Sequence, residues 1–409
     1  MNLRQAEDYL LGLELFGMRF GLDRMHKLMT VLGMPQRRFA SIHVVGTNGK
    51  SSTTRMTAAI LEREGLATGI YTSPHLRAFP ERIEVRERPL DGGAFAEAVA
   101  RAAHAAELVN RTLGEGDEVT QFEALTAAAY HALAHAGVDV AVIEAGLGGR
   151  YDATNVIPSK VQVLTGVGLD HTRWLGSTIA DIAEEKLAVV RDHATLVVPP
   201  DLDRAAVAVA ERVAAEHRAR LVTAPADLGV ELAARGAFQR HNFALAASAA
   251  EVFLERALDR DAVRAAAAET QVPGRLEVVD VNPLLVYDGA HNAAGAAALV
   301  ESLPDVTGDR RLVGVVSILD DKDATAMLAT LSPALDEIVF TRSSNPRALS
   351  PATLAHLAGR DAVTVADPRA AVARARERAG PGGAVVVTGS IYLIADLVRE
   401  PGQARASMI

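Results

Sequence analysis

The run Ile42-His43-Val44-Val45-Gly46-Thr47-Asn48-Gly49-Lys50-Ser51-Ser52, followed by a helical segment at 53–63, combines the residue types that hold phosphate. Glycines let backbone N–H groups turn inward around phosphate oxygens. The helix N-terminus adds a partial positive charge and Lys50 a full one. Ser51 or Ser52 can offer a hydroxyl to a phosphate-bound magnesium ion. The spacing is shorter than the strict GxxxxGK[ST] pattern, because Gly46 precedes Gly49 by only three residues. A strand before and a helix after still point to a nucleoside triphosphate site, with Thr47, Asn48, Gly49, Lys50, Ser51 and Ser52 around the phosphates.

A second constellation starts at Glu144, which follows the apolar run 138–143. A carboxylate at the C-terminal end of a buried parallel strand stands where open α/β sheets place their chemistry. Gly146, Gly148 and Gly149 allow a close backbone approach. A buried glutamate needs a partner, and Mg²⁺ is the expected one. Leu169-Asp170-His171 lies just past another apolar run, and a lone histidine there is more often a structural residue than a ligand. Thr120-Gln121-Phe122-Glu123 reads as a capping box opening a helix. Ser73-Pro74 reads as a turn starter, and Asp288 ends another apolar strand. Arg275 can grip a phosphate with two parallel hydrogen bonds.

The elements that must position these residues alternate. Short β-branched runs lie at 41–45, 138–143, 161–164, 285–287, 311–316, 337–340 and 384–388. Alanine-rich segments of helical period, such as 94–109 and 203–219, separate them. That alternation predicts parallel sheets covered by helices. Residues 203–272 read as mostly helical until Val272-Pro273-Gly274-Arg275 breaks the pattern, which puts a domain boundary near 281. Residues 400–409 read as a fraying tail.

The chain has 409 residues, 51 acidic and 42 basic side chains, and no cysteine. Thiolate zinc sites, cysteine nucleophiles and thioester intermediates are therefore excluded. A net charge of −9 argues against a nucleic-acid binder. The first twenty-five residues carry several charges and lack the pattern of a secretory leader, and no long uncharged apolar run reads as a membrane span. A cytoplasmic monomer with small-molecule partners is the expectation, with no nucleic acid and no membrane.

Gly46-Thr47-Asn48-Gly49-Lys50 closely resembles the loop of the Mur ligase superfamily, and in particular of its folylpolyglutamate synthase/dihydrofolate synthase branch. That branch usually has Gly-Ser after the lysine, where this chain has Ser51-Ser52. Tyr71-Thr72-Ser73-Pro74-His75-Leu76, Thr120–Glu123, Glu144–Asn155, Leu169–His171 with Lys186, Phe238–Asn242, Pro273–Arg275 and Asp288–Asn292 resemble further motifs of the branch, in its order. The resemblance implies an α/β fold in which a P-loop parallel-sheet ATPase domain with a folate pocket spans 1–281. A smaller Rossmann-like α/β domain at 282–409 follows and carries glutamate ligation. It also implies roles. Lys50, Glu144, His171 and Lys186 are catalytic, and Asn242, Arg275, Asp288 and His291 join the loop in binding ATP. Thr120, Gln121, Phe122, Glu123, Tyr151, Asp152 and Ala153 border the pteroate. Ser52, Ser73 and Glu144 hold one Mg²⁺, and His171 with Lys186, carbamylated by CO₂, holds a second.

The chemistry so implied is amide formation through an acyl phosphate. ATP phosphorylates a carboxylate, and the amine of L-glutamate displaces the phosphate. Dihydropteroate and reduced folylpolyglutamates are the expected acceptors, for a bifunctional enzyme of folate biosynthesis; a synthase with only one acceptor is the alternative. A peptidoglycan ligase would need a nucleotide-sugar domain ahead of a loop that here begins at residue 46. A P-loop switch would explain the loop but not the other motifs.

Overall fold

The protein is described by a computed structural model for residues 1–13, 21–359 and 362–400. Of the expected tail, all but Glu400 lies outside the described residues. The chain divides into two compact units, residues 1–231 with 241–270, and residues 232–240 with the segment from 271 to 400. Among the described residues no helix is long and apolar enough to cross a membrane.

The first unit is built on an eight-stranded sheet. Its strands are β1 (Ala40–Val45), β2 (Thr68–Tyr71), β3 (Ile83–Val85), β4 (Arg88–Pro89), β5 (Val140–Glu144), β6 (Val161–Leu164), β7 (Thr195–Val198) and β8 (Arg220–Thr223). Their order is β4-β3-β2-β5-β1-β6-β7-β8, with parallel pairing from β2 to β8 and antiparallel pairing at β3 and β4. β5 is buried along its whole length and so reads as a continuous β-branched run rather than an alternating one. β1 lies between β5 and β6, and Val44 pairs with Glu144. That register sets the end of β5 beside the turn that leaves β1.

Helices cover the sheet. Gly92–Asn110 and Gln121–Ala136 pack through alanines with Leu10, Met25 and Leu28 in one apolar core. The capping box at Thr120 forms as the sequence predicts, and Gly137, at φ +67°, ends that helix. The helical reading of 203–272 needs a correction. Helices run at Arg204–Glu216, Ala237–Leu254 and Arg260–Glu269, but β8 interrupts them at the sheet edge.

The second unit holds a six-stranded sheet with β9 (Glu277–Val281), β10 (Leu284–Tyr287), β11 (Leu312–Val316), β12 (Glu337–Phe340), β13 (Val363–Thr364) and β14 (Ala384–Thr388). The order is β13-β12-β11-β14-β10-β9, parallel except for β9. β9 pairs with β10 and therefore falls with this unit, ahead of the boundary expected near 281.

Candidate active site

The phosphate loop joins β1 to the helix Lys50–Arg63. Gly46 (φ +153°) and Gly49 (φ +85°) have backbones that side chains rarely adopt. Both are also crowded. A Cβ at Gly46 would lie 1.9 Å from Thr165 Oγ1, and one at Gly49 would lie 2.5 Å from Asn242 Oδ1. Thr165 Oγ1 donates to the Asn48 carbonyl at 2.6 Å, and the Gly168 N–H donates to Thr47 Oγ1 at 3.0 Å. The segment after β6 thus braces the loop, and Asn242, which the resemblance assigns to ATP, lies against it. Lys50 Nζ donates to the Gly46 and Thr47 carbonyls, each at 3.2 Å.

The register between β1 and β5 carries Glu144 to the first turn of that helix. Ser51 Oγ donates to Glu144 Oε1 at 2.9 Å, and the Ser73 N–H lies 3.3 Å from Oε2. Ser73 is held by its own turn. The Glu81 carboxylate accepts from the N–H groups of Leu76, Arg77 and Ala78. Ser52 is buried in the helix. Among the described residues no three histidines or carboxylates converge as a metal cluster. One buried carboxylate with serine hydroxyls suits magnesium, which keeps much of its water and takes few protein oxygens.

Lys186 reaches the same loop from the helix Ile179–Leu187, donating to the Gly46 carbonyl at 2.9 Å. Burial pushes its ammonium down to about 7; the charge of Lys50 adds to that, and Asp170 and Asp152 oppose it. Asp170 went unassigned in the sequence, hidden beside the more conspicuous His171. Its carboxylate accepts from the His171 N–H at 2.8 Å, and the His171 ring stays partly exposed, 3.8 Å from it. The next turn bears Trp174, the chain's single tryptophan, exposed beneath the Arg173 guanidinium.

The residues that the resemblance assigns to the acceptor separate into two groups. Phe122 stacks against Tyr71 with ring centroids 6.1 Å apart. A Cβ at Gly146 would lie 2.6 Å from the Phe122 ring and 3.2 Å from Asp152 Oδ2, so only glycine lets the ring and the carboxylate share this spot. Burial raises the Asp152 pKa against hydrogen bonds from Thr154, Leu147 and Gly146. Tyr151 is exposed and Ala153 buried. The second group turns inward. Gln121 donates to the Leu10 carbonyl at 2.7 Å, Thr120 and Glu123 close the capping box, and Arg24 Nε pairs with both Glu123 oxygens at 3.0 and 3.1 Å. Nothing in the local sequence marks Arg24 as that partner.

The second unit has its own cluster at the turn after β10. Asp288 accepts from Leu276 N at 2.9 Å and Ala290 N at 2.8 Å, and burial raises its pKa while Arg275 opposes the shift. Gly289 lets Arg275 pass, since a Cβ there would lie 2.1 Å from its Nη1. His291 Nδ1 donates to the Gly289 carbonyl at 2.9 Å. A further edge escaped sequence reading. Ser317, Thr341, Ser343, Asn345, Thr388 and Ser390 are buried at or just past the ends of β11, β12 and β14. Ser343 Oγ, Asn345 Nδ2 and Thr388 Oγ1 have no hydrogen-bond partner among the described residues.

A glycine loop at a helix N-terminus, with a strand-end carboxylate and two lysines around it, defines an ATP-using enzyme with a parallel-sheet core. The Mur ligase middle domain matches residues 44–238, and the Mur ligase glutamate ligase domain matches 274–391. The dihydrofolate synthase/folylpolyglutamate synthase of Mycobacterium tuberculosis is 36% identical, over 90% of this chain and 88% of that protein. The structure of M. tuberculosis folylpolyglutamate synthase complexed with ADP superposes with a TM-score of 0.92 at 33% identity, covering 98% and 99% of the two chains. A bifunctional folylpolyglutamate synthase/dihydrofolate synthase solved with Mn, AMPPNP and L-glutamate gives a TM-score of 0.84 at 31% identity, covering 97% of each chain. The chain belongs to the folylpolyglutamate synthase/dihydrofolate synthase family of the Mur ligase superfamily and is an ATP-dependent amide-bond-forming ligase.

Proposed function

We propose that the enzyme adds L-glutamate both to dihydropteroate and to reduced folylpolyglutamates. The observation that carries the reading is the register of β1 and β5, which sets the Glu144 carboxylate and Ser51 against a loop held by Lys50 and Lys186. Acceptor residues Phe122 and Asp152 meet over Gly146, close beside Glu144. A carboxylate oxygen of the acceptor attacks the γ-phosphorus, and ADP leaves. The glutamate nitrogen, having lost a proton, then attacks the acyl carbon, and phosphate leaves. Lys50 and the N–H groups at the helix start hold the phosphates, neutralising charge in a loose, in-line transfer.

Mg²⁺ held by Glu144 with Ser52 and Ser73, and with Ser51 now brought to the same carboxylate, would supply a Lewis acid to the phosphate oxygens. The depressed pKa of Lys186 supports a carbamate, since only a neutral amine attacks CO₂. The carbamate nitrogen would keep an N–H for the Gly46 carbonyl, and His171 would complete a second site. In the second unit Arg275, Asp288 and His291 serve ATP. The buried hydroxyl and amide edge suits the polar ends of glutamate, and the match of this unit to a glutamate ligase domain supports that placement.

The test is phosphate release with ATP, Mg²⁺, glutamate and each acceptor in turn. Release that requires every component is expected with both acceptors. Turnover with only one reduces the enzyme to a single-acceptor synthase, and turnover with neither removes the reading.

A further inference from the structure

A buried relay lies behind Asp152, and the reaction above leaves it unexplained. His43 is fully buried on β1, the strand that feeds the phosphate loop. Its Nε2 lies 2.8 Å from Thr154 Oγ1, which donates to Asp152 Oδ1 at 2.5 Å. The Thr154 N–H donates to the same oxygen at 3.0 Å. A hydroxyl has one proton. With that proton on the carboxylate side, the Thr154 oxygen can only accept from His43, so the ring must carry its hydrogen on Nε2. His43 Nδ1 has no partner among the described residues, as suits a bare lone pair better than a buried N–H. Burial and the nearby charge of Arg191 lower the His43 pKa to about 3, which keeps the ring neutral.

The turn around Thr154 is pinned from two more directions. Tyr130 OH donates to the Thr154 carbonyl at 2.8 Å, and Arg191 donates to Asn155 Oδ1 at 2.7 Å. Thr154 therefore has little freedom to turn its hydroxyl elsewhere. Asp152 Oδ2 accepts from Leu147 N at 2.8 Å and borders the Phe122 ring edge over Gly146.

We propose that His43 is a positioning residue for acceptor binding: through Thr154 it locks the Asp152 carboxylate so that Oδ2 faces hydrogen-bond donors on the acceptor's heterocycle. This rests on the reading that Asp152 contacts the acceptor. The relay ties acceptor recognition to the strand that carries the phosphate loop, at a point the sequence shows only as one histidine in an apolar run.

The test is steady-state kinetics of the full chain with dihydropteroate, glutamate and ATP. Thr154→Val and His43→Leu are expected to raise the acceptor KM by about tenfold or more, leaving the ATP KM unchanged. His43→Gln, whose amide nitrogen reaches the Nε2 position, is expected to restore it. A purely structural role would lower Tm without separating the two KM values or showing that rescue. Unchanged acceptor KM in both His43→Leu and Thr154→Val, while Asp152→Asn raises it, overturns the role of His43 alone. Unchanged acceptor KM in Asp152→Asn overturns the acceptor-site reading along with it. Nitrogen NMR of the wild-type His43 ring gives a check that no variant's folding can obscure. A proton on Nε2 is expected, and one on Nδ1 overturns the relay.

Discussion

Past the ends of its parallel strands, the first unit gathers ionisable groups: Lys50 after β1, Glu144 closing β5, Asp170 after β6, and Lys186 reaching the same loop from a helix. Past the ends of β11, β12 and β14, the second unit buries hydroxyls and an amide instead. Both edges use the site that open α/β sheets offer to ligands. The difference lies in what each edge must do. Moving a phosphoryl group needs fixed charges in a dry place, where they act strongly. The proposed glutamate edge of the second unit would offer neutral donors and acceptors at set positions, which can select a ligand without pulling on the transferred charge. In the second unit Ser343 Oγ, Asn345 Nδ2 and Thr388 Oγ1 have no hydrogen-bond partner among the described residues, whereas in the first unit Lys50 and Lys186 donate to loop carbonyls and Glu144 accepts from Ser51.

The contrast can be broken experimentally, and the largest effect belongs to the charges. Lys50→Ala is expected to cut acceptor-dependent phosphate release by about a thousandfold with Tm nearly unchanged, since its bonds to the Gly46 and Thr47 carbonyls lie within the loop. Lys186→Ala should cost about a hundredfold and recover partly with short carboxylic acids that replace a carbamate. Full activity in that variant would exclude the carbamate.

The pH dependence has a defined sign. Lys186 falls from 10.5 to about 7, so its neutral amine dominates above that pH and its ammonium below. Stimulation of the wild type by bicarbonate should therefore fade as the pH drops through about 7, and stimulation that grows in acid would contradict the assignment.

Gly49→Ala forces a Cβ to within 2.5 Å of Asn242 Oδ1 at a left-handed φ. A rise of about tenfold in the ATP KM is expected, with about 1–2 kcal/mol lost from stability in chemical denaturation. Thr388→Val should act least. It removes an unsatisfied buried hydroxyl at nearly constant volume, so Tm should hold or rise while the glutamate KM increases about threefold. If only Tm changes, the hydroxyl edge is structural and the contrast between the units weakens.

What the sequence made legible was local. The strand–loop–helix at 40–63 and the apolar run into Glu144 announce themselves by composition and period, and both form as expected. β8 was hidden because Arg220–Thr223 is short, half-exposed and set among helices. The Ser51–Glu144 bond spans 93 residues and depends on strand register, which no local pattern encodes. The capping box at Thr120–Glu123 is legible locally, but its second partner, Arg24, stands 99 residues earlier and is not. Asp170 carries no mark in the local sequence, because its effect on Lys186 exists only once the helix Ile179–Leu187 is folded against the loop. The hydroxyl edge of the second unit is invisible in the sequence, since serine and threonine after strands are common turn residues.

The lone indole at Trp174 has a practical consequence. It stands exposed three residues beyond His171, so all tryptophan emission from this chain arises beside its proposed second metal site. Quenching during a titration with nucleotide, divalent ion or acceptor would be a spectroscopic reading from that one place, with no label attached and no second fluorophore of its kind to subtract.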